Sequence, residues 1–297
     1  MKPNELIAKI ENGELDKSFK KIYVSDSAVE AQKPRYIRTI KEFINLFGDD
    51  RDVFVLSAPG RTEVCGNHTD HNNGKVLAAS INLDAIAIAA KRDDMKINEK
   101  SEGHGLNEVD ISTLSPDEAE YGRSSSMIKG VAAGLKEKGY EIGGFDACTT
   151  SDVMGGSGLS SSADFEVLIA TVINHLYNDG KIDAVTVAKA AQFSENVYFG
   201  KPSGLLDQMA SSVGTFVTID FKDTANPVIK KVDFDFAKSG YSLCIVDTHG
   251  NHSDLTDDYA AVRGEMEAVA KAMGKNVLRE VEYEEFFQSL DVLQAKV

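Results

Sequence analysis

The sequence predicts an α/β fold, with strands and helices interleaved, and three observations carry that prediction. Phe145, Ala147 and Thr149 alternate as in a strand, and a glycine- and serine-rich stretch follows, Val153-Met154-Gly155-Gly156-Ser157-Gly158-Leu159-Ser160-Ser161-Ser162-Ala163. That stretch gives way at once to Phe165, Leu168, Ile169, Val172, Ile173 and Leu176, spaced as one face of a helix. Short apolar runs with strand character, among them Val53–Leu56, Asp84–Ala90 and Phe216–Ile219, stand between further helical patterns. A strand, a glycine loop and a helix N-terminus in that order make an anion site. Free backbone N–H groups and the positive end of the helix dipole both point at the ligand.

Taken in order, residues 1–50 read as a helical N-terminal cap. Tyr36, Ile40, Phe43, Ile44 and Phe47 form its apolar face, and Gly48 stops it. Val53–Leu56 is a buried-strand signal that leads into a polar loop. Asn73-Gly74 turns the chain back, and strand resumes at Lys75. Asp84–Ala90 reads as another strand and Arg92 to Gly105 as a polar connection. Met127, Ile128, Val131, Ala132 and Leu135 predict a helix, with serines before it as N-caps and Gly139 after it. Asp183 caps a further helix through Val187, Ala190, Ala191 and Phe193, ended by Gly200 and Pro202. Strands are expected at Phe216–Ile219, Val228–Phe236 and Leu243–Val246. Asp247–His252 reads as a polar loop, and a last helix carries Tyr259, Val262, Met266, Val269 and Met273 on one face.

Composition limits the partners. A chain of 297 residues has room for one large or two ordinary domains around a buried core. With 47 acidic against 32 basic residues the net charge is −15, a field that repels nucleic acid and anionic membrane, so neither is expected as a partner. An anionic substrate would need local basic groups or a metal ion. Cys65, Cys148 and Cys244 are odd in number and lack metal-ligand spacing, which predicts reduced thiols in a cytoplasmic protein. No charged-then-apolar leader is expected at the N-terminus. The longest apolar stretch, Val76 to Ala90, is interrupted by Asn82 and Asp84 and is too short to span a bilayer.

Three stretches carry chemistry. The glycine-rich loop lacks the Gly-Lys-Ser/Thr of a Walker A motif, has Ser160 where G-x-G-x-x-G needs glycine, and has Leu159 where a hydrolase elbow needs glycine. It reads as a phosphate cradle, against the plainer reading of a Gly/Ser loop joining a strand to a core helix. Ser57 to Gly74 gathers Arg61, Glu63, Asn67, His68, Asp70 and His71 at one end of a sheet. His68-Thr69-Asp70-His71 suits zinc by ligand type, but Gly66 stands where a metallo-hydrolase pattern needs histidine. A polyol site, in which Asn, His and Asp serve several hydroxyls, competes with it, as does a solvated turn. In the third stretch Asp207 sits among Leu205, Leu206 and Met209, where its charge is costly unless paired, or where it caps a helix. Glu195 falls in the last turns of a helix, which the dipole disfavours. It has either a specific task or a place on a solvated face.

Side by side these stretches resemble one family. Ser57-Ala58-Pro59-Gly60-Arg61 with Gly66-Asn67-His68-Thr69-Asp70 is similar to the galactokinase signature G-R-x-N-L-I-G-E-H-T-D-Y. Gly155 to Ala163 resembles the G-L-S-S-S-A loop of the wider family of galactokinase, homoserine, mevalonate and phosphomevalonate kinases. Pro202-Ser203-Gly204-Leu205-Leu206-Asp207-Gln208 is similar to P-C-G-I-M-D-Q, and Asp247 through Tyr259 to Arg263 to the V-D-T…S-x-Y-x-x-R-R segment. Departures are Glu63-Val64-Cys65 for N-L-I, Asn67 for the signature Glu and His71 for its Tyr. The family's third glycine-rich motif is not in the sequence.

The resemblance implies ATP-dependent phosphorylation of a sugar, galactose or a close relative, at its anomeric hydroxyl. It also implies a two-domain α/β (α+β) sugar-kinase-like fold with the active site between the domains. After the cap at 1–50 come an N-terminal substrate- and ATP-binding domain at 51–215 and the start of an incomplete C-terminal domain at 216–297. Gly155, Gly156, Ser157, Gly158, Leu159, Ser160, Ser161 and Ser162 would hold the ATP phosphates, and Ser162 with Glu195 would hold Mg2+. Asp207 would accept or orient the C1 hydroxyl proton, with Arg61 offsetting charge on the γ-phosphoryl group. Asn67, His68, Asp70, Gly204 and Tyr259 are the matching sugar contacts. A galactokinase-like sensor that binds sugar and ATP with little catalysis stays open beside the enzyme, as does a related kinase with another sugar.

Overall fold

The computed structural model describes residues 1–66, 69–153, 158–241, 243–244, 246 and 256–296. Its N-terminus is helical, as expected: α1 (Pro3–Glu11), α2 (Asp16–Tyr23) and α3 (Asp26–Phe47). The Ser25 hydroxyl accepts from Ala28 N–H to start α3, and Gly48 N–H bonds Ile44 O to end it. Tyr36, Ile40 and Phe43 are its buried face. Next come β1 (Phe54–Cys65), β2 (Lys75–Lys91), β3 (Lys96–Ser101), β4 (Leu106–Asp110), α4 (Ser124–Glu137), β5 (Phe145–Ser151) and α5 (Ser161–Tyr177). The chain continues as α6 (Ala184–Phe193), a π-helical segment (Ser194–Phe199), α7 (Leu206–Val213), β6 (Phe216–Asp220), β7 (Val228–Val232), α8 (Phe236–Ser239), α9 (Thr256–Ala272), α10 (Tyr283–Gln288) and α11 (Leu290–Lys296).

One mixed sheet runs in the order β4-β3-β5-β2-β6-β7, and β1 also pairs with β2. Among the described residues only the β3–β5 ladder is parallel. The 17-residue β2 organises it: Ala85–Lys91 pairs with β5 and Lys75–Ala79 with β6. Its apolar run follows from helices covering both faces of the sheet. Ala85, Ala87 and Ala89 face the core built with α4, α5 and α6, while Ile86, Ile88 and Ala90 face α1–α3. Ile86 and Ile88 are fully buried, each a contribution of about 1.5–3 kcal/mol. A third cluster packs α7 on β2 and β6 through Leu206, Met209, Val76 and Val217. The α/β class read from the sequence is the class of the molecule.

Several expectations need correction. Ser57–Cys65 is not loop but the continuation of β1, and Lys75–Lys91 is one strand rather than two. The polar connection after Arg92 contains β3, because Glu99 is buried there with its own hydrogen-bond partners in Ser101, Asn107 and Thr149. The serines at 124–126 lie inside the first turn of α4, and the cap position is Arg123. β7 ends at Val232 and helix follows, while Leu243, Cys244 and Val246 lie in no strand. The Asp247–His252 loop is outside the described residues. β6 and β7 hydrogen-bond within the same sheet as β1–β5.

Polar bonds tie the helical cap to the sheet. Buried Asp84 accepts from Arg35 Nη1 at 2.8 Å, Tyr23 Oη at 2.9 Å and Ser57 Oγ at 2.5 Å. Arg35 also donates to Thr150 O at 3.1 Å and to Asp152 Oδ2 at 3.0 Å, so α3 is bonded to the end of β5 where the glycine-rich loop begins. The C-terminal helices are held by Leu278 N–H to Asn72 Oδ1 and by Arg279 on Asp220. Among the described residues no helix is long and apolar enough to cross a membrane.

Candidate active site

Irregularity in β1 aims the first functional side chain. Register against β2 shifts between Pro59 and Arg61 and again between Glu63 and Cys65, the signature of bulges that re-aim side chains. Arg61, 7% exposed, turns inward. Its Nε and Nη2 donate to Asp207 Oδ1 and Oδ2, both at 2.7 Å, a bidentate pair. Arg61 Nη1 donates to Gly158 O at 2.5 Å and Arg61 N–H to Leu159 O at 3.2 Å, so the same residue holds the end of the glycine-rich loop. Asp207 lies in the first turn of α7, where the dipole favours a carboxylate; the cap position is Leu205, so Asp207 is paired rather than capping.

The loop reaches α5 through Ser160, a non-glycine residue with φ 64° and ψ 53°. Left-handed backbone at such a residue is strained and persists where the surroundings fix it. Here the Ser160 hydroxyl donates to Asp207 Oδ2. Among the described residues Ser160, at the cap position, makes no side-chain bond to the first turn of α5, whose N–H groups suit an anion. Gly155, Gly156 and Ser157 lie outside the described residues. The structure thus brings Arg61, Gly158, Leu159, Ser160 and Asp207 into one cluster at the start of α5.

A second cluster adjoins it. The π-helical segment holds Glu195, which is 2% exposed, so its solvated-face reading fails. π-Segments inside helices are frequent at functional sites. Glu195 Oε1 accepts from Ser162 Oγ at 3.1 Å and Lys201 Nζ at 2.8 Å, and Oε2 accepts from Gln208 Nε2 at 2.7 Å. Gln208 Nε2 also lies 3.4 Å from Oε2 of Glu166, which is fully buried on α5. Burial, reinforced by the charge of Glu195, holds the Glu166 carboxyl well above the usual carboxylate range. Burial opposes the charge of Lys201, but the charge and hydrogen bond of Glu195, together with the charges of Asp207 and Glu166, raise the ammonium pKa on balance. Lys201, Gln208 and Glu166 had no role in the sequence reading. Glu195 and Lys201 stand six apart, brought together where Gly200 turns the chain after the π-helical segment, a spacing outside the helical period, which is why their contact left no pattern.

The expected sugar contacts are placed in part. Asp70 sits in a 3-10 turn (Thr69–Asn72), buried, its Oδ2 accepting from Leu206 N–H at 3.1 Å. Asp70 Oδ1 has no partner among the described residues. Gly204 runs directly against it: a Cβ there would stand 1.8 Å from Asp70 Oδ2. Asp70, Ser203, Gly204, Gln192, Asn196 and Arg263 line part of a cavity of about 700 Å³. Asn67 and His68 lie outside the described residues, and Tyr259 lies on α9 with its side chain outside them. Among the described residues no three His, Cys, Asp or Glu side chains gather as a metal cluster. Ser162 and Glu195 instead present two oxygens 3.1 Å apart, close to the ~3 Å between neighbouring oxygens around Mg2+ with ~2.1 Å bonds. One carboxylate and one hydroxyl suit an ion that takes its other ligands from water and phosphate.

The chain is similar to known proteins over most of its length. Residues 41–91 match the galactokinase galactose-binding signature and residues 126–215 the N-terminal domain of GHMP kinases. The galactokinase of Streptomyces coelicolor is 33% identical over 255 residues, 85% of this chain and 65% of that relative. That of Clostridium tetani is 32% identical, over 83% of this chain and 63% of the relative. The crystal structure of Lactococcus lactis galactokinase complexed with galactose superposes with a TM-score of 0.70 at 28% identity, covering 85% of this chain and 66% of that one. Mevalonate kinase of Methanococcus jannaschii, at 14% identity and a TM-score of 0.53, shares the fold alone. The chain spans 63–65% of the length of the two curated relatives.

Proposed function

The chain belongs to the galactokinase family, and from that premise we propose that it transfers the γ-phosphoryl group of ATP to the anomeric hydroxyl of galactose or a close relative, giving the sugar 1-phosphate. The observation that carries the reading is the junction of Arg61, Ser160 and Asp207 beside the N-terminus of α5. Phosphoryl transfer asks for positioning and charge stabilisation more than for covalent chemistry. Asp207, fixed by two bonds from Arg61, orients the C1 hydroxyl and takes its proton. Arg61 offsets charge on the moving group, and the loop from Gly155 to Ser162 holds the nucleotide phosphates with backbone N–H groups. Ser162 and Glu195 would hold Mg2+, which when bound neutralises phosphate charge.

On the sugar side, Asn67, His68, Asp70, Gly204 and Tyr259 form the proposed contacts. A sugar hydroxyl supplies the donor that buried Asp70 Oδ1 lacks. We place the reaction between an N-terminal domain (51–215) and a C-terminal one beginning at 216, in the cytoplasm. The test is a coupled assay of ADP release over a panel of aldoses. Galactose-dependent release is expected. A chain that binds both sugar and ATP yet releases no ADP with any sugar would be the sensor instead.

A further inference from the structure

We infer that Lys201 is the resident counter-ion of Glu195 and competes with the divalent cation for its carboxylate, so that this lysine sets the cation affinity of the site. The inference rests on the Ser162–Glu195 cation reading given above. Lys201 Nζ stands 2.8 Å from Glu195 Oε1, the same oxygen that Ser162 Oγ approaches at 3.1 Å. Two cations cannot both sit in contact with that oxygen without strong repulsion, so a divalent ion entering between Ser162 and Glu195 must displace the ammonium.

The backbone keeps the lysine there. Gly200, at φ 81°, folds the chain back after the π-helical segment. Both Gly200 N–H and Lys201 N–H then donate to Glu195 O, the latter at 3.0 Å. Lys201 is therefore tied to Glu195 by main chain and side chain at once. Its side chain is 44% exposed while that of Glu195 is 3% exposed. The lysine can swing into solvent; the carboxylate cannot. Gln208 engages Oε2, and Arg61 is committed to Asp207. Among the described residues no other basic side chain forms an ion pair with Glu195.

The experiment titrates the nucleotide-free 297-residue chain with Mn2+, following free Mn2+ by electron paramagnetic resonance at about pH 8, where an ordinary carboxylate is ionised. Lys201→Met should bind Mn2+ about fivefold more tightly than the natural chain, the worth of a half-exposed ion pair. Lys201→Arg keeps the charge and should stay near the natural value. Glu195→Gln should weaken binding, and adding Lys201→Met to it should restore nothing. Lys201→Gln repeats the test with a polar residue should the Met variant fold poorly by circular dichroism. Unchanged or weaker binding in both neutral variants overturns the inference, as does a gain that persists without the Glu195 carboxylate. If Glu195→Gln leaves Mn2+ binding as it was, the cation reading fails and takes the inference with it.

Discussion

Replacing Gly204 with alanine tests the contact between the loop before α7 and the signature turn. The added methyl would lie 1.8 Å from Asp70 Oδ2 and 2.6 Å from its Cγ, whereas ordinary contact begins near 3.4 Å. One partner must therefore give way by about 1.6 Å, the kind of overpacking that costs ~1–3 kcal/mol. If Asp70 moves, it loses the bond from Leu206 N–H, and a hydrogen bond to a charged group is worth ~1.5–3 kcal/mol. Taking ~2–4 °C per kcal/mol, Tm should fall by roughly 3–10 °C. Asp70 then also misses the sugar, so KM for galactose should rise about 10- to 100-fold with kcat little changed. If instead the backbone yields, Asp207 shifts with the start of α7, and kcat falls. Thermal unfolding and steady-state ADP release separate the two outcomes. A variant with the natural Tm, KM and kcat would show that Gly204 does not press on Asp70 in the folded protein.

Four further outcomes are expected. Asp207→Asn should keep the fold and nucleotide binding but lower kcat by ~10²–10⁴, as for loss of a general base; natural turnover would remove Asp207 from the mechanism. Ser162→Ala and Glu195→Gln should each raise the Mg2+ concentration needed for half-maximal ADP release, since each deletes one oxygen ligand. Asn67→Glu should sharpen discrimination between galactose and its C6-modified analogues by about 10- to 100-fold in kcat/KM, because a carboxylate only accepts hydrogen bonds where an amide also donates. Glu166→Gln should relieve a pH-dependent cost. The folded carboxyl is raised from 4.5, so the native state holds a proton that the unfolded chain gives up, and stability falls as pH rises from about 4.5 toward the raised value. The variant's Tm advantage should therefore grow as pH rises above about 4.5, and a constant offset would refute the raised carboxyl.

The glycine-serine stretch, the helix after it, the helix stopped by Gly48 and the helix capped by Asp183 were legible because their signals are local: periodicity, a cap, a stop. Arg61, Asp207 and Glu195 were legible as residue types needing partners, but the partners come from β1, α5 and α7, and no spacing in the chain announces that meeting. The edge of the sheet was not legible. β3 carries the single apolar Ile97, and its other buried side chain is Glu99, whose burial is sustained by Ser101, Asn107 and Thr149 rather than by hydrophobicity. A hydropathy pattern reads such a strand as solvent-facing. The length of β1 was hidden likewise by Pro59 and Gly60, which look like a break and serve as the bulge that turns Arg61 inward.

Arg35 gives the molecule a particular way of coming apart. Were the N-terminal helices held by apolar contact alone, they could lift off and settle back while the sheet stayed folded. Instead, lifting α3 strips Asp84 of its guanidinium inside a layer that excludes water, and a lone charge left there costs several kcal/mol. The same movement frees Thr150 O and Asp152, the last fixed points before the glycine-rich loop. Slow amide exchange should therefore report α3, β2 and β5 opening as one cooperative unit, with no intermediate that keeps an ordered sheet beneath a detached cap. The glycine-rich loop then depends for its anchorage on a helix on the far face of the sheet.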